Sequence, residues 1–329
     1  MRRSALQVAL VGFLILLAAG VVFERIGQRR DLHRYPQIGR SVDIGGRTLN
    51  IYCTGTGAPT VVFQTFGHAS GYSWIGVQPD AAKVTQACWY DRAGYGWSEP
   101  GPVPGTYQGT ASDLHALLKA ANMPPPYVLV GGIAATLHMR IFNHLYPDEV
   151  AGAVMVNPAD VDGPRVAVPE AAKGPWNRHF GSFAARVRGT ACLAFPAMAQ
   201  VGLLRVAGLF QRGPRGTLAF GFPPGQQAEL DELSDNATAA RGGEGCDREE
   251  GEEQVRAAGT FGDRPLVLLF SPLREMGAAW NEAQIKQVQP RLAKLSSRSR
   301  IVDVEEVTPA AIVAAIREVM GSSENPAAH

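Results

Sequence analysis

Residues 131–135 read Gly-Gly-Ile-Ala-Ala, between the apolar run "YVLVG" and an apolar-faced stretch that begins at Ala134. A strand, a tight turn and a helix in that order expose the residue at the apex. Small flanking residues let strand and helix approach, so this is a place for a nucleophile. The apex is Ile133, a hydrocarbon with no lone pair to attack anything. Catalysis here would fall to neighbours. His68 with Ser70, in "FGHASG", and Thr136 with His138, in the first turns of the following helix, are the hydroxyl–imidazole pairs close in sequence. The plain alternatives are loop hydrogen bonding for the first pair and packing for the second, since residues two apart on a loop have no enforced facing geometry. Asp160 is a further carboxylate candidate, and Asp91-Arg92 reads as a strand-end pair that organises the next loop. No Cys or His spacing fits a metal, and "VLVGGIAAT" lacks the third glycine of a dinucleotide turn. Neither a metal nor a cofactor is therefore expected.

Around these residues, short apolar runs alternate with amphipathic stretches. Gly45-Gly46 between alternating apolar residues signals a hairpin. "TVVFQ" (60–64), "ACWYD" (87–91), "YVLVG" (127–131), "AGAVMVN" (151–157), "PLVLLF" (265–270) and "RIVDV" (300–304) read as strands. Helices are expected over 77–86, from Ser112-Asp113 onward, over 134–145, near 279–295 and from Pro309. Such alternation predicts an α/β chain with a mainly parallel β-sheet and helices on both faces. Residues 159–260 break the pattern, being rich in Gly, Pro, Ala and Arg, and read as a helical cap insertion. The five tryptophans, Trp74, Trp89, Trp97, Trp176 and Trp280, are expected in core or cap packing.

The apolar fraction of 46% against 19% charged residues predicts a buried core rather than disorder. A balance of 31 basic and 30 acidic residues, with no basic run interleaved with aromatics, gives no sign of nucleic-acid binding. The N-terminus is the exception to this even mixture. From Ala5 to Phe23 only Gln7 is strongly polar, and such a run covers roughly 28 Å as a helix, about a bilayer core. An N-terminal transmembrane helix is expected, the rival being a signal peptide cleaved near Ala18-Ala19-Gly20. Arg25, Arg29, Arg30 and Arg34 after the span argue for a cytoplasmic C-terminal side. Four cysteines behind an export-type segment argue for disulfides outside the cytoplasm. Cys53 and Cys88 both fall on expected strands and form the favoured pair.

The stretches "IYCTGTGAPTVVFQ", "YDRAGYGWSEPGP" and "YVLVGGIAATLHMRIFNHLYPDEVAGAVMVNP" together resemble the α/β-hydrolase superfamily, in a membrane-anchored, capped subgroup. The resemblance implies the α/β-hydrolase fold and a Ser-His-acid triad. It also exposes what this chain lacks. The nucleophile position is Ile133, the acid position after "AGAVMV" is Asn157, and the short loop Glu305 to Thr308 holds no His. After "PLVLLF" the only acid is Glu275. With no hydroxyl to present, the turn is expected to relax and Ile133 to be buried against apolar cap residues or Phe66.

The implied organisation is 1–24 transmembrane anchor or signal, 25–40 juxtamembrane linker, 41–158 core, 159–260 cap, 261–321 core and 322–329 tail. The expected function is a binding or scaffold module without serine-hydrolase activity. Its partners would be the membrane, through the N-terminal helix, and a small apolar ligand in a pocket at Phe66, Gly67, His68, Gly132, Ile133 and Ala134. The alternative is an esterase-like hydrolase on a small ester or lipid-like substrate, using displaced residues. The soluble domain is expected outside the cytoplasm, anchored, or secreted if the N-terminal segment is cleaved.

Overall fold

Two-residue alternation along buried strands organises the chain. On the strand Tyr127–Gly132, Tyr127 and Leu129 join one apolar cluster while Val128 and Val130 join the other, so both faces of the strand are packed. The computed structural model describes residues 2–34, 36–65, 70–102, 105–164, 198, 200–207, 248–273 and 277–324. Among them eight strands form one sheet: β1 (Arg40–Asp43), β2 (Thr48–Thr54), β3 (Thr60–Gln64), β4 (Ala87–Tyr90), β5 (Tyr127–Gly132), β6 (Val150–Val156), β7 (Leu266–Phe270) and β8 (Ser299–Asp303). Their order is β1-β2-β4-β3-β5-β6-β7-β8. Only the β1–β2 and β2–β4 pairs are antiparallel; the rest are parallel.

The β1–β2 hairpin turns where Gly45-Gly46 predicted it. Both glycines take positive φ, and both amides donate to Asp43 Oδ1, at 2.8 and 2.9 Å. In the β2–β4 register Cys53 stands opposite Cys88, and the two form a disulfide with Cα atoms 4.1 Å apart. Cys192 and Cys246 lie outside the described residues.

The helices are α1 (Arg2–Arg34), α2 (Gln78–Ala81), α3 (Tyr107–Ala120), α4 (Ala135–Leu145), α5 (Leu203–Ala207), α6 (Arg248–Ala257), α7 (Ala278–Ala283), α8 (Gln289–Leu292) and α9 (Pro309–Glu324). Leu114, Leu117 and Leu118 of α3 and Leu137 and Phe142 of α4 cover one sheet face. Ile312, Ile316 and Val319 of α9 cover the other. Three helices depart from expectation. α2 is a single turn rather than a helix over 77–86. α3 begins at Tyr107, five residues before Ser112, because Thr106 caps it by accepting from the Gly109 amide at 2.9 Å. The stretch near 279–295 is interrupted by a π turn at Gln284–Val288, just before Pro290.

α1 runs unbroken to Arg34, so the first ten residues expected as linker are helical. Its Gln7–Arg30 stretch is long and apolar enough to cross a membrane, and Phe13, Leu14, Ile15 and Leu16 are exposed. Near its end the helix meets the cap. Glu24 is buried and pairs with Arg205 of α5, accepting from Nε at 2.9 Å and Nη2 at 3.1 Å. A Cβ at Gly20 would lie 2.3 Å from the Val201 carbonyl oxygen, so this close approach requires glycine.

Candidate functional site

The turn between β5 and α4 has not relaxed. Ile133 holds φ +48°, the left-handed region that a β-branched side chain strongly disfavours. Its backbone is tied from both sides, which accounts for the persistence of the strain. The Ile133 amide donates to Val156 O at 2.9 Å, and its carbonyl accepts from the Thr136 hydroxyl at 2.6 Å and the Ala159 amide at 3.3 Å. β6 and the segment after it thus clamp the apex. Strand and helix approach closely here, since a Cβ at Gly131 would lie 2.7 Å from Met139 Sδ and 3.2 Å from Ala135 Cβ. Ile133 is also not buried as expected. It is half-buried and faces a cavity.

That cavity, about 930 Å³, lies over the carboxyl ends of β5 to β8. In open α/β sheets this is where ligands bind. Ile133, Ala134, Leu137, Phe270, Leu273 and Trp280 supply much of its apolar wall. Trp280 is half-exposed there rather than in core packing; Trp74 and Trp89 are buried as expected, and Trp176 lies outside the described residues. Of the expected pocket residues, Ile133 and Ala134 line the cavity, while Phe66, Gly67 and His68 lie outside the described residues. So do Glu275 and most of the cap.

Asn157, Asp160 and Thr136 are occupied structurally. Asn157, at φ +43°, ties the ends of β6 and β7 together. Its Nδ2 donates to Ser271 Oγ at 3.1 Å, and its Oδ1 accepts from the Ser271 amide at 2.9 Å. Asp160 is held by Arg291, whose Nε donates to Oδ2 at 2.8 Å. Thr136 donates to the Ile133 carbonyl rather than to His138. Ser70 precedes a 3-10 turn in which its carbonyl accepts from the Ser73 hydroxyl at 2.5 Å. Among the described residues no Ser or Thr hydroxyl hydrogen-bonds a histidine. The β8–α9 loop spans 304–308 and is short, as expected, with Thr308 accepting from the Ala311 amide at 3.2 Å.

Asp91 organises its loop, as its place at a strand end predicts. It accepts from the Gly71 amide at 2.7 Å, Asn50 Nδ2 at 3.0 Å and the Trp97 amide at 3.1 Å. Complete burial nevertheless pushes its pKa up to about 6, because desolvation outweighs those hydrogen bonds. His138 is 3% exposed and lines the cavity. Burial first, and the Arg92 cation second, push its pKa down to about 3, so the ring is neutral near pH 7.

The sequence was matched by the α/β-hydrolase fold family model over residues 58–191. The haloalkane dehalogenase DbeA-M1 loop variant from Bradyrhizobium elkanii superimposes with a TM-score of 0.59 at 17% identity, over 88% of this chain and 98% of that one. The chain has the α/β-hydrolase fold. Sequence relatives include a vacuolar membrane protein of Saccharomyces cerevisiae strain S288c, 32% identical over 102 residues, 30% of this chain and 16% of that protein. Another is the protein YbdG of Bacillus subtilis strain 168, 23% identical over 153 residues, 46% of this chain and 47% of that protein. This α/β-hydrolase-fold chain thus spans less than half the length of those curated relatives. The fold places Ile133, Asn157 and the 304–308 loop together at one end of the sheet, all three bordering the cavity. Tyr107, Phe270 and Ser271 line it as well without having been singled out from sequence, and so do Trp280 and Glu305, which the sequence placed in packing and in the last loop rather than in a pocket. For two of these the available signal was position, since Phe270 and Ser271 stand at and just past the carboxyl end of β7.

Proposed function

We propose that this chain is a membrane-anchored α/β-hydrolase-fold protein that binds an apolar ligand in the cavity over the sheet and does not hydrolyse it. The observation that carries the proposal is Ile133, a side chain without a nucleophilic atom, clamped at φ +48° at the apex and facing the cavity. Around it Asn157 is engaged with Ser271, and the β8–α9 loop supplies no imidazole. A cavity of about 930 Å³ is at the upper end of the 300–1,000 Å³ typical of small-molecule sites. Hydrolysis by displaced residues would need a hydroxyl activated by a base, and Ser271, the one Ser or Thr among the described lining residues, is bonded to the Asn157 amide and to no histidine. The length and apolar character of α1 support anchoring. The Cys53–Cys88 disulfide supports an oxidising, extracytoplasmic compartment for the sheet domain.

The test is organic extraction of the full chain purified from membranes, followed by mass spectrometry. A stoichiometric apolar compound supports the proposal. Its absence, together with turnover of short-chain nitrophenyl esters by the same preparation, overturns it.

A further inference from the structure

Two residues of the cavity lining keep a buried polar atom without a hydrogen-bond partner, Trp280 at its indole N–H and His138, and of the two only His138 is itself a buried residue. His138 lies five residues past Ile133 on α4, at 3% exposure, with the ring of Tyr107 edge-on at a centroid distance of 5.1 Å. Its Nδ1 is enclosed with no hydrogen-bond partner, and among the described residues neither ring nitrogen makes a hydrogen bond. Buried polar groups nearly always have partners, and one without a partner calls for a specific explanation. A packing role alone would be served as well by a phenyl ring. The ring is neutral, since burial and Arg92 both oppose its protonation. A neutral imidazole offers one N–H donor and one lone pair, the complement of a single hydroxyl or carbonyl.

The rest of the wall narrows the ligand's charge. Among the described residues it carries Asp160, Glu252, Asp303 and Glu305, and neither lysine nor arginine. Asp160 is neutralised by Arg291 and Asp303 accepts from Gln289 Nε2 at 2.7 Å, while Glu305 is exposed at the mouth. A ligand carboxylate or phosphate brought among these groups would lose its water and meet like charge, and the one cation that acts on His138, Arg92, is buried outside the lining and offers it no direct partner. An ammonium head would find its counter-charge at the mouth and leave His138 unpaired.

We propose that the cavity takes an uncharged long-chain amphiphile bearing a hydroxyl or carbonyl, and that His138 is the residue that hydrogen-bonds this head. The proposal rests on the binding function inferred above and adds its selectivity.

Equilibrium binding to the full chain in nanodiscs, against empty nanodiscs, tests it with four tritiated C16 probes at pH 7.5: hexadecanol, palmitate, hexadecylamine and hexadecane. Hexadecanol is expected to bind at least about 10-fold more tightly than the other three, one hydrogen bond being enough for that ratio. His138→Phe is expected to lower hexadecanol affinity to that of hexadecane while leaving hexadecane unchanged. His138→Gln, which keeps a donor and an acceptor, retains the preference and guards against a folding defect in the phenylalanine variant. Palmitate or hexadecylamine binding as tightly as hexadecanol overturns the inference. So does a His138→Phe variant that loses hexadecane and hexadecanol equally. In both cases the binding function itself survives. Failure of all four probes to bind removes that function and the selectivity together.

Discussion

Replacing Ile133 by glycine and by alanine separates backbone strain from side-chain packing. At φ +48° a residue with a Cβ crowds its own carbonyl, at a penalty of about 1–2 kcal/mol that glycine escapes. In an ordinary conformation the order reverses: glycine is worse than alanine by roughly 0.5–1 kcal/mol, because it has more backbone freedom to lose. Both substitutions remove nearly the same half-buried side chain, so packing nearly cancels between them. If the clamp from Val156 and Ala159 holds the left-handed turn, Ile133→Gly is more stable than Ile133→Ala by about 0.5–1 kcal/mol. If the turn is relaxed, alanine is the more stable by a similar amount. Against the parent, a half-buried isoleucine contributes about 1 kcal/mol of burial. Relief of strain offsets that loss in the glycine variant, which should lie close to the parent. The 2–5 kcal/mol loss of a fully buried isoleucine is not expected. Thermal unfolding of the detergent-solubilised chain, followed by tryptophan fluorescence, should place the two variants about 1–4 °C apart. An alanine variant as stable as the glycine variant, or more so, would refute the claim that this turn is held in strain.

Three further outcomes follow from the same geometry. A fluorophosphonate probe should label no serine in the folded chain, and Ile133→Ser should give no esterase activity, because no histidine lies in 304–308; mass spectrometry and ester assays read both. Asp91 has a folded pKa near 6 against an ordinary value of 3.8. The raised value means that its contribution to stability is fully present below about pH 4 and is lost as pH rises through 6. The parent should therefore lose stability from pH 4 to 6 more steeply than Asp91→Asn in denaturant titrations, and parallel profiles would refute the shift. Reduction of Cys53–Cys88, which closes a 35-residue separation, should destabilise the chain by about 2–4 kcal/mol, and an unchanged melting curve in reductant would count against a structural disulfide.

What could be read in advance followed local chemistry. Gly45-Gly46 set the hairpin because only glycine enters the left-handed region freely, and alternating apolar runs gave both packed faces of the sheet. Cys53 and Cys88 could be paired because both lie on strands, although their antiparallel register depends on β2 and β4 folding back together. Long-range ties defeated the same reasoning elsewhere. Ile133 is a poor residue for positive φ, so its propensity pointed to relaxation. Hydrogen bonds from residues more than twenty positions away, Val156 and Ala159, decide otherwise. Thr106 opens "TYQG", which carries no apolar repeat to mark a helix, and its bond to Gly109 fixes the start of α3. His138 was legible only as a helical histidine. That it is enclosed, neutral and unpaired depends on Tyr107, the cavity wall and the charge of Arg92, which no spacing in the sequence brings together.

The clamp also bears on why a cavity remains at all. Protein interiors pack as densely as organic crystals, and surrounding atoms tend to close an unoccupied apolar void because its lining forgoes dispersion contacts. Here Ile133 occupies the nucleophile position, so its side chain has a direct route to filling the cavity over the sheet. It does not fill it. The backbone is held so that the side chain stays half-exposed, and the floor is braced around it by Thr136, by the Asn157–Ser271 bridge and by the Asp160–Arg291 pair. These ties fix the shape of a pocket floor, and none of them supplies a reactive group. A floor kept rigid, largely apolar and open is suited to receiving a ligand, and its one unpaired imidazole gives that ligand a place to put a polar end.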